Sequence, residues 1–172
     1  GQHLEQYRHA TYDPTEYYKE ALRREPGDIR CNNAMGLWLM RKGQFAMAEP
    51  YFRKAIGTQT ERNPNPYDGE PHYNLGWSCL MQGKTDEAYD AFFKSAWNAA
   101  WQDAAYYNLA AIDCRRGNFE KALDLIDRSL VRNWHHHKAR QLKASILRHL
   151  GRKEEALDLI AESLKIDRFN MG

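Results

Sequence analysis

Four blocks of this 172-residue chain lie over one another without a gap: MGLWLMRKGQFAMAEPYFRKAI (35–56), LGWSCLMQGKTDEAYDAFFKSA (75–96), LAAIDCRRGNFEKALDLIDRSL (109–130) and KASILRHLGRKEEALDLIAESL (143–164). A small residue marks the start of each: Gly36, Gly76, Ala110 or Ala144. Seven residues on stands a glycine (Gly43, Gly83, Gly117, Gly151), and five further an alanine (Ala48, Ala88, Ala122, Ala156). A bulky apolar residue follows after four (Phe52, Phe92, Ile126, Ile160) and a small one after three more (Ala55, Ser95, Ser129, Ser163). A period of this length means a stack of like units, because one such unit cannot bury its own apolar face.

Within each block an apolar-periodic stretch, a short turn with glycine and a second periodic stretch predict two antiparallel helices. The turn glycine suits the left-handed residue that ends a helix. The small residues let two helix axes approach, and the large residue fills the groove between them. The last three blocks are spaced by 34 residues. In period and pattern the chain resembles the tetratricopeptide repeat. That resemblance implies an all-α fold, a right-handed α-solenoid of antiparallel helix pairs, with about four full repeats and a partial one before them. The expected layout is an irregular segment over 1–12 and one solenoid over 13–172. Its parts are a partial repeat at 13–28, repeat 1 at 29–59, an insertion at 60–68, and repeats 2, 3 and 4 at 69–102, 103–136 and 137–170.

The first two blocks are offset by 40 residues rather than 34, and the excess falls in TERNPNPYDGEP (60–71). The phase resumes after it, so the stretch reads as an insertion in a turn, stiffened by Pro64, Pro66 and Pro71, and not as a domain linker. Joining two repeats is one role for it; forming a rim beside a groove with Tyr67 is the other. Three positions depart from the repeat: Pro50 inside a second helix, Lys143 where leucine is usual, and Asp113 where an aromatic is usual. Upstream, Asp13-Pro14 predicts a capped helix start. The chain opens on Gly1 and stops where a fifth repeat would begin. The expectation is therefore a piece of a longer protein, with uncapped ends through which copies could associate.

In this family the first helix of each repeat lines the concave face, and ligands lie there. Carried over by register, the inward positions are Arg30, Asn33, Leu37, Met40 and Arg41; Glu70, Tyr73, Trp77, Leu80 and Met81; Ala104, Tyr107, Ala111, Cys114 and Arg115; and Lys138, Gln141, Ser145, Arg148 and His149. The implied groove runs from apolar and aromatic to basic. Two readings of its aromatics stay open, packing between helices or contact with a ligand. The same holds for Asn74 and Asn108, at the sixth position of successive repeats, where family asparagines often bond a peptide backbone. A carboxylate clamp is incomplete, with Ala104 and Asn108 where lysine and arginine would stand.

Apolar residues make up 42% and charged residues 28% of the chain, with a net charge of +2. Acidic and basic residues alternate, whereas a duplex-binding surface concentrates positive charge; nucleic acid is disfavoured as a partner. Cys31, Cys79 and Cys114 are scattered and form no CxxC pair, which reads as free thiols in a reducing compartment. No apolar run reaches the length of a membrane span. WHHHKAR (134–140) falls in the connection between repeats 3 and 4 and reads as loop rather than metal site, since helical metal ligands need i, i+4 spacing or partners from elsewhere. No catalytic constellation, cofactor loop or metal set is expected. The combination HLEQYRHATYDP, PGDIRCNNAMG, NPNPYDGEPHYNLG and WNAAWQDAAYYNLA further resembles a group of large bacterial proteins. In these a galactose-mutarotase-like sandwich domain precedes a repeat region. The expected role is a cytoplasmic, non-enzymatic scaffold that binds a protein or peptide, which includes the upstream domain of the same chain. The alternative is a structural arm for that domain, and single-stranded nucleic acid bound by Trp77, Tyr73, Tyr107 and Arg115 is the third reading.

Overall fold

The computed structural model describes residues 1, 3 and 13–166. The expected irregular segment at 1–12, apart from Gly1 and His3, and the last residues of repeat 4 lie outside the described residues. Among those described, the structure is helical throughout: α1 (Pro14–Arg24), α2 (Ile29–Arg41), α3 (Phe45–Thr60), α4 (Glu70–Met81), α5 (Thr85–Ser95), a 3₁₀ turn (Ala99–Trp101), α6 (Gln102–Arg115), α7 (Phe119–Arg132), α8 (His137–His149) and α9 (Lys153–Ile166). The chain forms two compact units, residues 1–94 and 95–172. The proline-rich stretch lies inside the first unit and is not the boundary.

Local chemistry starts and stops the helices. The Asp13 carboxylate accepts from the Thr15 N–H at 2.9 Å ahead of Pro14, and Asp28 accepts from the Cys31 N–H at 2.6 Å. Each satisfies a donor that the first helical turn leaves open. At the other ends Gly43, Gly83, Gly117 and Gly151 all sit at φ between 71° and 77°. In the first of these turns the Gly43 N–H donates to Met40 O and the Gln44 N–H to Leu39 O, at 2.9 and 3.0 Å. The same pair of bonds recurs at Gly83, Gly117 and Gly151. This is the Schellman arrangement, which needs a left-handed residue at its centre.

In the first unit the core follows the repeat marks. Ala48, Phe52, Ala55, Ala88 and Phe92 are fully enclosed. A methyl group added at Gly36 would lie 2.5 Å from the Phe52 ring, and one at Gly76 2.7 Å from the Phe92 ring. The glycines are thus the floor on which each phenylalanine rests. In the second unit Ala110, Ala122, Ile126 and Ser129 take the matching places, all with no exposed surface.

Pro50 is exposed on α3, and the helix runs on through it. Asp113 is fully buried and is answered by the Asn118 amide at 3.1 Å and the Lys121 ammonium at 3.4 Å. Lys143 reaches the Asp127 carboxylate at 2.7 Å. Both departures from the repeat are therefore charge pairs standing where apolar contacts are usual.

The inserted residues are divided between helix and loop. By register α3 ends two residues later than α7, and 61–69 are irregular. Asp68 accepts from the Glu70 N–H at 2.9 Å, and the Gln59 amide donates to Asp68 O at 3.3 Å. Packing continues across the loop: Asn74 Nδ2 donates to Asn33 Oδ1 at 3.0 Å, and Ser78 Oγ to Phe45 O at 2.8 Å.

Candidate binding face

The predicted inward positions are set out here unit by unit. In the first unit Arg30, Arg41 and Met81 are exposed, and Asn33, Leu37, Met40, Glu70, Tyr73, Trp77 and Leu80 half-buried. Tyr73 and Trp77 each turn a ring edge toward Phe92, with centroids 5.6 and 6.1 Å apart. Such contacts orient the rings without enclosing them. In the second unit Ala104, Tyr107, Ala111, Cys114 and Gln141 are half-buried, while Arg115, Lys138, Ser145, Arg148 and His149 are exposed. Tyr107 packs against the His136 ring at 4.9 Å.

Asn74 and Asn108 differ from these neighbours, because both are buried. The Asn74 amide donates to Asn33, and the Asn108 amide donates to Ala104 O at 2.9 Å, one turn back in its own helix. These bonds give each buried amide a partner inside the protein, as burial requires.

A charge network spans α3, α4 and α5. Glu49 on α3 accepts from Arg53, from Gln82 Nε2 at 2.8 Å and from Lys84 Nζ at 2.7 Å, and Arg53 also pairs with Glu87. Burial alone would push the Glu49 carboxyl up. The hydrogen bonds from Lys84, Arg53 and Gln82 together outweigh it and bring the pKa down to about 2. Glu49, Cys79 and Glu87 bring ligand-type atoms within 4.8 Å of one another. Arg53 and Lys84 already neutralise the two carboxylates there, and burial pushes the Cys79 thiol up. A metal ion would have to displace those cations. Cys31 and Cys114 are likewise free, and burial raises both thiols, Cys31 to about 11. None of the three has the depressed pKa of a reactive cysteine.

The stretch 134–140, expected as a connection, is divided: residues 134–136 form the turn before α8, and His137 to Arg140 are its first helical residues. His135 is exposed, His136 is half-buried against Tyr107, and His137 opens the helix. Among the described residues no metal-ligand group forms around them. Arg140, six residues beyond Trp134, is buried; its Nε donates to Ser163 Oγ at 2.8 Å, and the Trp134 ring lies 4.2 Å from the guanidinium.

Sequence register missed one feature. A cavity of about 530 Å³ opens between α8 and α9, lined by Ser145, Arg148, His149, Lys153, Ala156, Leu157 and Ile160. Three of these are predicted inward positions; the other four belong to the second helix of the repeat. Their spacing, i, i+3, i+4 and i+7, is the signal that could have found them.

The tetratricopeptide repeat family matches residues 33–114 and 107–170. The fold is similar to that of MamA, at 20% identity and a TM-score of 0.77, over 88% of this chain and 85% of that one. YrrB, described as a TPR protein with an unusual peptide-binding site, aligns at 18% identity and a TM-score of 0.74, over 90% of this chain and 76% of that one. Pseudomonas aeruginosa pilF aligns at 18% identity and 0.70, over 87% and 68%. Among the described residues no helix is long and apolar enough to cross a membrane.

Proposed function

The chain belongs to the tetratricopeptide repeat family, and from that premise we propose that it is a non-enzymatic module binding a protein or peptide on the face that its first helices present. The observation that carries this reading is a contrast in burial. The helix-crossing positions of the first three full repeats are enclosed, whereas the inward positions of the first helices all keep exposed surface. Rings, thioethers and cations left part-open on a rigid helical frame are the material of a recognition surface. The peptide-binding site attributed to YrrB supports the same use of the fold.

Within that face the proposed contact residues are Asn33, Leu37, Met40, Arg41, Tyr73, Asn74, Trp77 and Leu80 in the first unit. Tyr107, Asn108, Arg115, Lys138 and Arg148 are those of the second. Asn74 and Asn108 enter on different terms, since a ligand would have to take over bonds they now make internally. A domain of the same larger protein is a natural occupant on the closer sequence resemblance, and supporting such a domain is the alternative role.

Selection of binders from a random peptide library on the whole chain tests the reading. Enriched peptides should lose affinity for Trp77→Ala, or for the exposed-site variant Met81→Asp, when both retain the wild-type melting temperature. A library with no enriched binder, or binders indifferent to every first-helix substitution, overturns it.

A further inference from the structure

The cavity between α8 and α9 has a composition that specifies its occupant. Its floor is aliphatic: Ala156 is closed over, but Leu157 is 65% and Ile160 40% exposed. Leu164 continues the same helical stripe and is 46% exposed. Ile160 stands where Phe52, Phe92 and Ile126 are wholly enclosed, so a packing position of the repeat is here open to solvent. The rim is cationic. Arg148 and Lys153 flank the floor and, among the described residues, make no ion pair with a carboxylate, and His149 lies flat against Phe119 at 4.6 Å.

The charge pattern extends beyond the rim. Arg115 and Lys138, also on first helices of this unit, are exposed and make no ion pair among the described residues, and none of the predicted inward positions of α6 and α8 is acidic. Glu154 and Asp158 lie on α9 but off the stripe, about 100° or more round the helix from its centre. Some arginines and lysines elsewhere are matched at short range, as with Arg53 and Glu87 or Arg152 and Glu155, while others such as Arg30 and Lys54 stand exposed. Exposed cations beside an open aliphatic floor are what set this surface apart.

We propose that this cavity is a docking site for an acidic amphipathic helix of a partner protein, with leucine-type side chains on the Leu157–Ile160–Leu164 floor and carboxylates toward Arg148 and Lys153. The volume falls within the roughly 300–1,000 Å³ that bound ligands and side-chain clusters fill. An amphipathic helix laid in a groove through i, i+3, i+4 and i+7 anchors is an established mode of recognition. Single-stranded nucleic acid would be drawn by the same cations, but its bases bind by stacking on aromatic rings, and this floor is aliphatic. The proposal rests on the reading of the chain as a peptide- or protein-binding module and names the chemistry of one site within it.

The test uses the whole chain and three fluorescent probes. They are an 18-residue helical peptide with leucines on one face and glutamates beside them, its lysine counterpart, and a 12-nucleotide oligouridine. The glutamate peptide should bind, and its affinity should fall at least about tenfold for Arg148→Glu/Lys153→Glu and for Leu157→Asp, all exposed sites, with melting temperatures unchanged. Its affinity should decline as salt rises, and Met47→Asp, at an exposed site in the first unit, should leave it unaltered. Equal binding of the lysine peptide, tighter binding of oligouridine, or indifference to both variants overturns the proposal. So does sedimentation of the chain alone as a dimer that Leu157→Asp dissociates, since a second copy would then be the occupant. If library-selected peptides bind through the first-helix positions while the glutamate peptide does not, this inference fails and the wider reading stands. If no peptide from either source binds, both fail.

Discussion

The two units solve one packing problem with different residue pairs. In the first, Gly36 faces Phe52 and Gly76 faces Phe92, and each ring occupies the space where a Cβ would be. In the second, alanine and isoleucine take the two marks, at Ala110 and Ile126 and again at Ala144 and Ile160. Atoms removed from the large partner are restored on the small one. Volume across the helix crossing is conserved while neither residue is, as expected of interiors packed to crystal-like density. The units differ in their first-helix faces as well: the inward positions of the first include Met40, Tyr73, Trp77 and Met81, and those of the second Arg115, Lys138, Arg148 and His149.

This comparison can be broken in several ways. Phe52→Ala should have the largest effect, a loss of about 3–5 kcal/mol in urea denaturation, because the ring is fully enclosed. Ile126→Ala should cost less, about 2–5 kcal/mol, with fewer atoms removed. A larger loss at Ile126 would deny that the rings of the first unit carry more of the packing.

A second effect belongs to the first unit through His72, at the place Tyr106 and Arg140 hold in the second. Burial disfavours its charged form, Lys94 adds to this and Asp68 opposes it, and the pKa falls to about 4. Below the ordinary histidine value the unfolded chain binds the proton first, so stability decreases as pH falls from about 6.5 toward 4. The loss attributable to His72 should be on the order of 2 kcal/mol. It should be read as the difference between wild type and His72→Asn, which cancels the carboxylates common to both. Parallel pH profiles would show that His72 does not titrate with folding.

Exchange of the packing pairs is the sharpest test of the comparison. Gly36→Ala should cost about 1–3 kcal/mol by overpacking against Phe52. Gly36→Ala/Phe52→Ile, which imports the pair of the second unit, should recover most of it. Two losses that simply add would mean the pairs are not interchangeable. The smallest effect should be the same in both units: Gly43→Ala and Gly117→Ala place alanine at φ of 71° and 77° with open space around it, for about 1 kcal/mol each. Unequal losses would show that the turns are not equivalent.

Much of this was legible because a repeat states its contacts several times over. The turn glycines, the small residues at the crossings and the insertion phase follow from spacing alone. The roles of Asn74 and Asn108 were not legible, because an asparagine at that register can bond a ligand, a neighbouring helix or a carbonyl of its own helix. Only the positions of Asn33 and Ala104 O separate these. Nor was the Glu49 network legible from register: Arg53 and Glu87 are 34 residues apart, and Glu49 and Lys84 35. Equivalent positions of these two repeats are 40 residues apart, so each pair joins residues five or six places out of register.

The sequence by itself determined the helical repeat, its turns and the residues that build its interior. Left-handed backbone and close helix crossings each admit few residue types, so those constraints are written into the chain. The tertiary structure decided which surface positions remain available and which are already used. Tyr73 and Trp77 stay part-open, Asn74 and Asn108 are closed, and Arg148 and Lys153 are joined over a floor of Leu157 and Ile160. Burial and charge pairing depend on side chains brought from separate helices, and no spacing within one repeat records them.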